Sequence, residues 1–439
     1  MKFYDREQEL QQLDAIRRAS HSEAQLTVLV GRRRIGKTEL VLRCGGDDPL
    51  LYFFVARKAE AMLCRDFVEE AEQKLGVPIG AYSSFAKLFR HLMILSAARP
   101  FTLVIDEFQD WTRVNSSVFS EMQREWDTCR KGSHINLIVS GSIYSLMHRI
   151  FEDSKEPLFS RAGRIIDVRP FGTNVLKSIL KDHNRQCTNA DLLTLFTITG
   201  GVPWYVDLLM TAGRTTSLRM INMLTEPNSP FINEGRNLLV EEFGPDNAAY
   251  FSILACIAGG LHTRSQIADI TGIKEIGGYI DRLLTRYNLI ERHTPILTRQ
   301  PTKSVRYVIA DNFLTLWFRF YYKYQNIIET GSLTQLHRII SRDIPIVEGY
   351  MLERYFIQKL RESGRYTRIG QYWNRKGTNE IDIVALNDID GIADIFEVKV
   401  NRSKYSDNAL SRKIDDMTEA CPAIRQFTIS RHCLSIDDC

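Results

Sequence analysis

The sequence predicts a multidomain α/β protein, and three observations carry that expectation. At 439 residues the chain exceeds what a single core of ordinary size organises. The apolar run Leu26 to Val30 reads as a buried strand, and Gly31-Arg32-Arg33-Arg34-Ile35-Gly36-Lys37-Thr38 follows it directly and opens a helix. Further apolar runs at Leu50 to Val55, Phe101 to Ile105 and Ile135 to Val139 follow in turn, the first two separated by helical stretches at Glu60 to Leu75 and Ser84 to Ala97.

The first segment, Phe3 to Leu10, leads through Leu10, Leu13 and Ile16 at helix-like spacing and reads by itself as an amphipathic helix. The glycine-rich stretch then fits G-x-x-x-x-G-K-[ST], the P-loop pattern of a nucleotide site. Its chemistry dictates its residues. Glycines let backbone N–H groups wrap phosphates, Lys37 sets a point charge on the β and γ oxygens, and Thr38 can ligate Mg²⁺. The helix N-terminus adds partial positive charge. The residues assigned to ATP are therefore Gly31, Arg32, Arg33, Arg34, Ile35, Gly36, Lys37, Thr38 and Glu39.

The strand at Phe101 delivers Asp106 and Glu107 at its C-terminal end, the edge at which open parallel sheets bind ligands. Asp106 would hold Mg²⁺, and Glu107 would orient and deprotonate the attacking water. The strand at Ile135 ends in Ser140-Gly141-Ser142, where the Ser142 hydroxyl either meets the γ-phosphate or the water, or merely satisfies a strand end. Arg161 and Arg164 precede a strand at Ile165 to Val168. They either neutralise transition-state charge, in cis or on a neighbouring subunit, or belong to a solvated loop.

The order D-R-E-x-E-L, G-R-R-R-x-G-K-T, hhhhD-E-x-Q, S-G-S, R-x-G-R-I and Gly200-Gly201-Val202-Pro203 resembles the archaeal-type AAA+/STAND P-loop ATPases over about residues 1 to 345. The resemblance implies an ASCE P-loop parallel sheet over 1–172 and a helical lid over 173–244. In that lid Gly201-Val202-Pro203 matches a G-x-P motif and sets Pro203 near the adenine. Without the resemblance the same residues read as a helix break.

Over 245–345 three short helical segments, Ala248 to Ala258, Thr263 to Thr271 and Ile276 to Tyr287, precede two β-rich pieces, Leu289 to Leu297 and Ser304 to Ile309, in the order of a winged helix. Between His262 and Asp343 twelve Lys and Arg face seven Asp and Glu. That bias allows contacts to DNA phosphates through Arg264, Lys274, Arg282, Arg286, Lys303 and Arg306, although winged helices also serve as lids and protein-docking modules. The stretch Phe313 to Tyr322 reads as core or domain interface rather than a base-stacking platform.

Pro345 and Gly349 suggest a boundary, followed by a helix at Val347 to Leu360 carrying Glu348 and Glu353 and by strands at Asn379 to Ala385 and Ile395 to Val400. Strand alternation puts Glu397 and Lys399 on one face. Asp382 and Glu397 can share Mg²⁺ or Mn²⁺ while Lys399 positions water, a trio suited to metal-assisted phosphodiester hydrolysis. These residues resemble the PD-(D/E)XK nuclease core, with Glu353 matching the acid of its first helix and Ile381 standing where a proline is usual. The resemblance implies an α/β restriction-endonuclease-like domain over 346–439. Fourteen basic against fifteen acidic residues give that segment no bulk attraction for DNA, leaving Asn401 to Lys404 and Arg412-Lys413 best placed to meet a backbone.

The chain is 44% hydrophobic and 25% charged with a net charge of +4, which describes a globular protein and selects no partner class. No run of eighteen apolar residues appears and the N-terminus is charged, so a cytosolic protein without a membrane span is expected. Eight scattered cysteines without a C-x-x-C pair suit reduced thiols. The leading expectation is an ATPase, assembling as an oligomer, that regulates a winged helix and a nuclease-like domain acting on DNA. The alternative is a signalling or scaffold NTPase that docks proteins.

Overall fold

Five parallel strands form the sheet that positions the P-loop in this computed structural model, which describes residues 2–243, 247–299, 302 and 304–439. They are β1 (Gln25–Val30), β2 (Leu50–Phe54), β3 (Phe101–Asp106), β4 (Ile135–Gly141) and β5 (Arg164–Asp167), in the order β2-β3-β4-β1-β5. A parallel strand covered on both faces has no solvent side to make polar, which is why these runs are continuously apolar. Helices Glu7–Ser20, Glu60–Leu75, Phe85–Ser96 and Val118–Cys129 accompany the sheet within the compact unit Asp5–Arg169. The register aligns Val30 with Gly141 and Ile105 with Val139, so the loops after β1, β3 and β4 open on one edge.

The remaining described residues, chiefly Pro170–Cys439, form a second compact unit. One apolar core extends from Phe171 and the helices Thr173–His183, Asn189–Thr199 and Pro203–Thr211 to Phe396 and Val398, and a separate cluster gathers Tyr372, Ile381, Val384, Leu410 and Met417 nearer the C-terminus. The aromatic stretch enters this core as expected: Phe313, Trp317, Phe318, Phe320 and Tyr321 are all buried. Helices Ala248–Ala258, Arg264–Thr271 and Ile276–Thr285 lead into an antiparallel pair, β6 (Ile290–His293) and β7 (Arg306–Ile309). The second of these helices starts at a Thr263–Gln266 capping box, which satisfies two orphan backbone donors.

The boundary expected at Pro345 and Gly349 is corrected by a thirty-residue helix, Leu333–Glu362, that runs through both. Leu336, Ile340, Ile344, Val347, Met351, Leu352, Tyr355 and Phe356 are its buried residues, and their spacing of three and four continues across the proline. Pro345 and Ser341 are exposed, so the carbonyl four residues back that loses its donor faces water and the packed stripe outweighs the break.

The chain then builds β8 (Arg368–Trp373), β9 (Glu380–Asn387), β10 (Ile392–Lys399) and β11 (Thr428–Ser435), in the order β11-β10-β9-β8. β8, β9 and β10 pair antiparallel, whereas β11 joins β10 in parallel after the helix Asp407–Ala420. β8 and β11 escape sequence pattern because both are edge strands of mixed polarity, and β8 carries a register shift between Gly370 and Tyr372. All eight cysteines are free thiols. Among the described residues no helix is long and apolar enough to cross a membrane.

Glu348, on the long helix, accepts a hydrogen bond from the Thr194 hydroxyl, and burial raises its pKa above the ordinary 4.5 although that bond opposes the shift. A carboxyl that keeps its proton longer when folded contributes fully below its unfolded pKa and loses that contribution as pH rises through the folded one. Glu348→Gln should therefore melt increasingly above wild type as pH climbs past the ordinary 4.5 and until the folded carboxyl ionises, by roughly 2–4 °C for each kcal/mol recovered. A difference in Tm that stays flat over that range would contradict the assignment.

Candidate functional site

The P-loop is shaped by backbone that only some residues tolerate. Gly31 has φ +153°, and a Cβ there would lie 2.7 Å from the Val168 carbonyl oxygen. Arg34 and Gly36 also have positive φ, and Gly36 caps the helix Lys37–Leu42. Ile35 is buried, Arg32 and Arg33 are half-buried and Arg34 is exposed. The Lys37 ammonium is held inside the loop, donating to the carbonyls of Gly31 at 2.7 Å and Arg32 at 3.1 Å.

Thr38 Oγ1 donates to Asp106 Oδ2 at 3.1 Å, which joins the two halves of the site, 68 residues apart in sequence. Asp106 also accepts from the hydroxyls of Tyr52 and Ser140 and, at 2.9 Å, from the Glu107 N–H. Burial, and then the Asp106 charge, push the Tyr52 phenol well above its usual range, so it stays a donor. Glu107 stands in the left-handed region at φ +52°. Its Oε2 accepts from Ser142 Oγ at 2.8 Å and from the buried Gln109 amide. The Ser142 hydroxyl thus finds its partner in the Glu107 carboxylate. A carboxylate beside a threonine hydroxyl at a helix start is a donor set that suits Mg²⁺.

Sequence reasoning missed Arg6, Tyr52, Ser140 and Gln109. Arg6 is buried, and its guanidinium donates to the Arg169 carbonyl at 2.6 Å and the Ile35 carbonyl at 3.5 Å, tying the loop to the end of β5. The D-R-E sequence was its available signal, since Asp5 and Arg6 both adopt positive φ and thus mark a built turn rather than ordinary helix.

Glu39 and Arg161 find their side-chain partners away from the loop. Glu39 is exposed and pairs with Arg43 one turn on, as expected of an i,i+4 couple on a solvated face. Arg164 pairs in register with Thr27, the third residue of β1, about 13 Å below Gly31 at strand rise. Arg161 precedes it and binds Asp127 at 2.9 Å, so neither arginine serves this loop in cis. In the second unit, Pro203 begins its helix after Gly200 and Gly201, both at positive φ, and a Cβ on Gly201 would lie 2.4 Å from the Phe171 carbonyl oxygen.

The C-terminal acids gather at the β9–β10 pair and the long helix. Asp382 accepts from the Val398 N–H at 2.7 Å and stands 3.8 Å from the Lys399 ammonium. Glu397 accepts from Lys399 at 2.7 Å, and Lys413 of the helix Asp407–Ala420 bridges both its oxygens at 2.9 Å. Burial works against the Glu397 carboxylate, but the two lysines more than offset it and its pKa falls. Burial raises Asp382, with the Glu397 charge adding to it. Burial and then the Asp382 charge push Glu353 up to about 8, and Gln371 donates to it at 2.9 Å. Among the described residues no three His, Cys, Asp or Glu side chains form a metal-holding group by themselves.

The expected phosphate contacts fare unevenly. Arg306 pairs with Glu380 and lies 4.5 Å over the Trp373 ring, while Arg282 lies 5.0 Å over Tyr279. Arg264 packs against Gly277, Arg286 lies over Tyr287, Lys274 is exposed, and Lys303 is outside the described residues. Arg402 pairs with Asp438.

Residues 3–209 match an ATPase domain predominantly from Archaea. This segment is similar to archaeal P-loop ATPase domains. Farther along, residues 317–411 of the same chain match a family of archaeal and bacterial proteins of unknown function. An uncharacterised protein of Methanocaldococcus jannaschii is 26% identical over 406 residues, 90% of this chain and 87% of that one. The Walker-type ATPase of Pyrococcus abyssi shares the fold at TM-score 0.54 and 19% identity, over 72% of this chain and 96% of that one. The ORC2 protein of Aeropyrum pernix, in its ADPNP–ADP complexes, does so at 0.52 and 16%, over 75% and 96%.

For the P-loop segment, Arg6→Ala should strand the buried Ile35 carbonyl and the part-buried Arg169 carbonyl, costing about 1–3 kcal/mol. Nucleotide affinity should fall with it, and Arg6→Lys should not restore it, because one ammonium lacks the guanidinium's spread. Calorimetric titration with ADP measures this. Unchanged affinity in Arg6→Ala would remove Arg6 from the loop's support.

Proposed function

We propose that the chain binds and hydrolyses MgATP at the P-loop and uses the nucleotide cycle to control its C-terminal unit. The observation that carries the reading is the Thr38–Asp106 contact, which gathers the loop, the magnesium ligands and Glu107 at one sheet edge. Thr38 and Asp106 would hold the metal, which supplies charge neutralisation at the phosphates. Lys37 would swing from the Gly31 and Arg32 carbonyls to the phosphate oxygens. Glu107, poised by Ser142 and Gln109, would take the proton of the attacking water. An arginine for the transition state would come from another chain, and Pro203 would approach the adenine.

The C-terminal sheet, with its preceding helix and a helix between β10 and β11, supports a nuclease-like reading in which Glu353, Asp382, Glu397 and Lys399 act on DNA. Crowding of buried acids, the cause of the raised pKa values of Glu353 and Asp382, is what a divalent cation would relieve. The segment from Ala248 to Ile309 would then be the winged helix that delivers DNA. A second reading, protein docking without cleavage, is favoured by Lys413, which occupies both oxygens of Glu397.

Lys37→Ala should abolish nucleotide binding, and Glu107→Gln should retain ATP while losing turnover by about 10²-fold or more. ATP affinity unaffected by Lys37→Ala would refute the site. For the C-terminal unit, millimolar Mn²⁺ should raise the Tm of wild type but not of Asp382→Asn, and Lys399→Ala should lose nicking. Wild type inert on every DNA tested, with no salt-dependent DNA binding, would select the docking reading.

A further inference from the structure

A cleft of about 410 Å³ lies in the second unit, apart from both acid sites. Its size falls in the range of about 300–1,000 Å³ typical of small-molecule sites. One wall is the π-turn Phe318–Tyr322, in which the Lys323 N–H reaches back five residues to the Phe318 carbonyl at 3.3 Å. Arg319 and Lys323, four residues apart on this turn, both line the cleft, and turns of this kind recur at functional sites. Among the described residues, neither the Arg319 guanidinium nor the Lys323 ammonium makes a hydrogen bond or an ion pair within 4 Å, and the carboxylate whose charge reaches both is Asp343 in the same cleft. Lys323 lies 5.3 Å over the Tyr324 ring.

The other walls have different chemistry. Asp343 is bound by Arg342 at 2.6 Å and 2.8 Å, which holds its carboxyl below the usual range with help from Arg319 and Lys323. It therefore remains an ionised acceptor. The last turn of the helix Ala248–Ala258, through Ala255, brings the negative end of that helix to the cleft. Phe318, Tyr322 and Tyr324 supply ring surface. A ligand that satisfies all walls carries an anion, a flat aromatic body and a hydrogen-bond donor. Inorganic phosphate would leave the rings unused, and a fatty acid would leave Asp343 facing hydrocarbon.

We propose that this cleft binds a nucleoside phosphate, free or as one residue of a single strand, with its phosphate on Arg319 and Lys323. The base packs against the tyrosine rings and an amino or hydroxyl group donates to Asp343. The test uses the full chain carrying Lys37→Ala, which removes the P-loop from the readout, titrated with AMP, with a 5′-phosphorylated dT pentamer and with inorganic phosphate. Saturable binding of AMP or the pentamer is expected, weakened about tenfold or more by Arg319→Gln with Lys323→Gln, while inorganic phosphate binds at least about tenfold more weakly than either. The glutamine variants keep side-chain length, and an unchanged Tm verifies their fold. AMP binding more tightly than the pentamer identifies a free nucleotide, and the reverse order identifies a strand. Either result supports the site. Absence of saturable binding, binding indifferent to the glutamine pair, or phosphate binding as well as AMP overturns it.

Discussion

Burying the Asp106 carboxylate is the constraint on which the nucleotide site depends. Only 5% of this residue is exposed, and a charge taken so far out of water is tolerated when its lone pairs are filled. Thr38, Tyr52 and Ser140 fill them from three separate elements, and the Glu107 N–H supplies a fourth bond. Meeting that requirement fixes the relative heights of β2, β3 and β4 and the entry of the helix after the loop. Arg6 on Ile35, and Gly31 against Val168, then keep the loop over the acid.

What the amino-acid string discloses follows from where each interaction is made. The P-loop, the buried strands and the Asp106-Glu107 pair are legible because turn chemistry, apolar runs and phosphate chemistry are all written within a few neighbouring residues. Tyr52, Ser140 and Gln109 were not, since each looks ordinary until the sheet register sets it beside a carboxylate. Arg161 and Arg164 could not be placed for the same reason: their sequence context resembles a catalytic loop, but Arg161 pairs with Asp127 and the β1–β5 register sets Arg164 beside Thr27, below the P-loop. Pro345 misled in another way, as a local break overridden by an apolar stripe that continues on both sides of it.

The C-terminal acids illustrate a balance of opposing fields. Asp382 is driven toward neutrality by burial and by the Glu397 charge, and Glu353 by burial and by the Asp382 charge, while Glu397 is held ionised by two ammonium groups. The segment between β6 and β7 takes part at the rim, where the Ile296 N–H bonds the Gln371 carbonyl and the Gln371 side chain donates to Glu353. Hairpin, helix and acid cluster are thus linked through a single residue of β8.

The long helix also decides how this protein can be dissected. Its first half packs into the helical core through Leu336, Ile340 and Ile344, and its second half lies under the C-terminal sheet through residues such as Met351 and Phe356. A recombinant fragment cut near residue 346 would split one rod of roughly 45 Å, leaving a frayed stump on one product and a bare sheet face on the other. Subcloning has to respect the rod, with the P-loop and the C-terminal acid cluster separated by point substitution rather than by truncation.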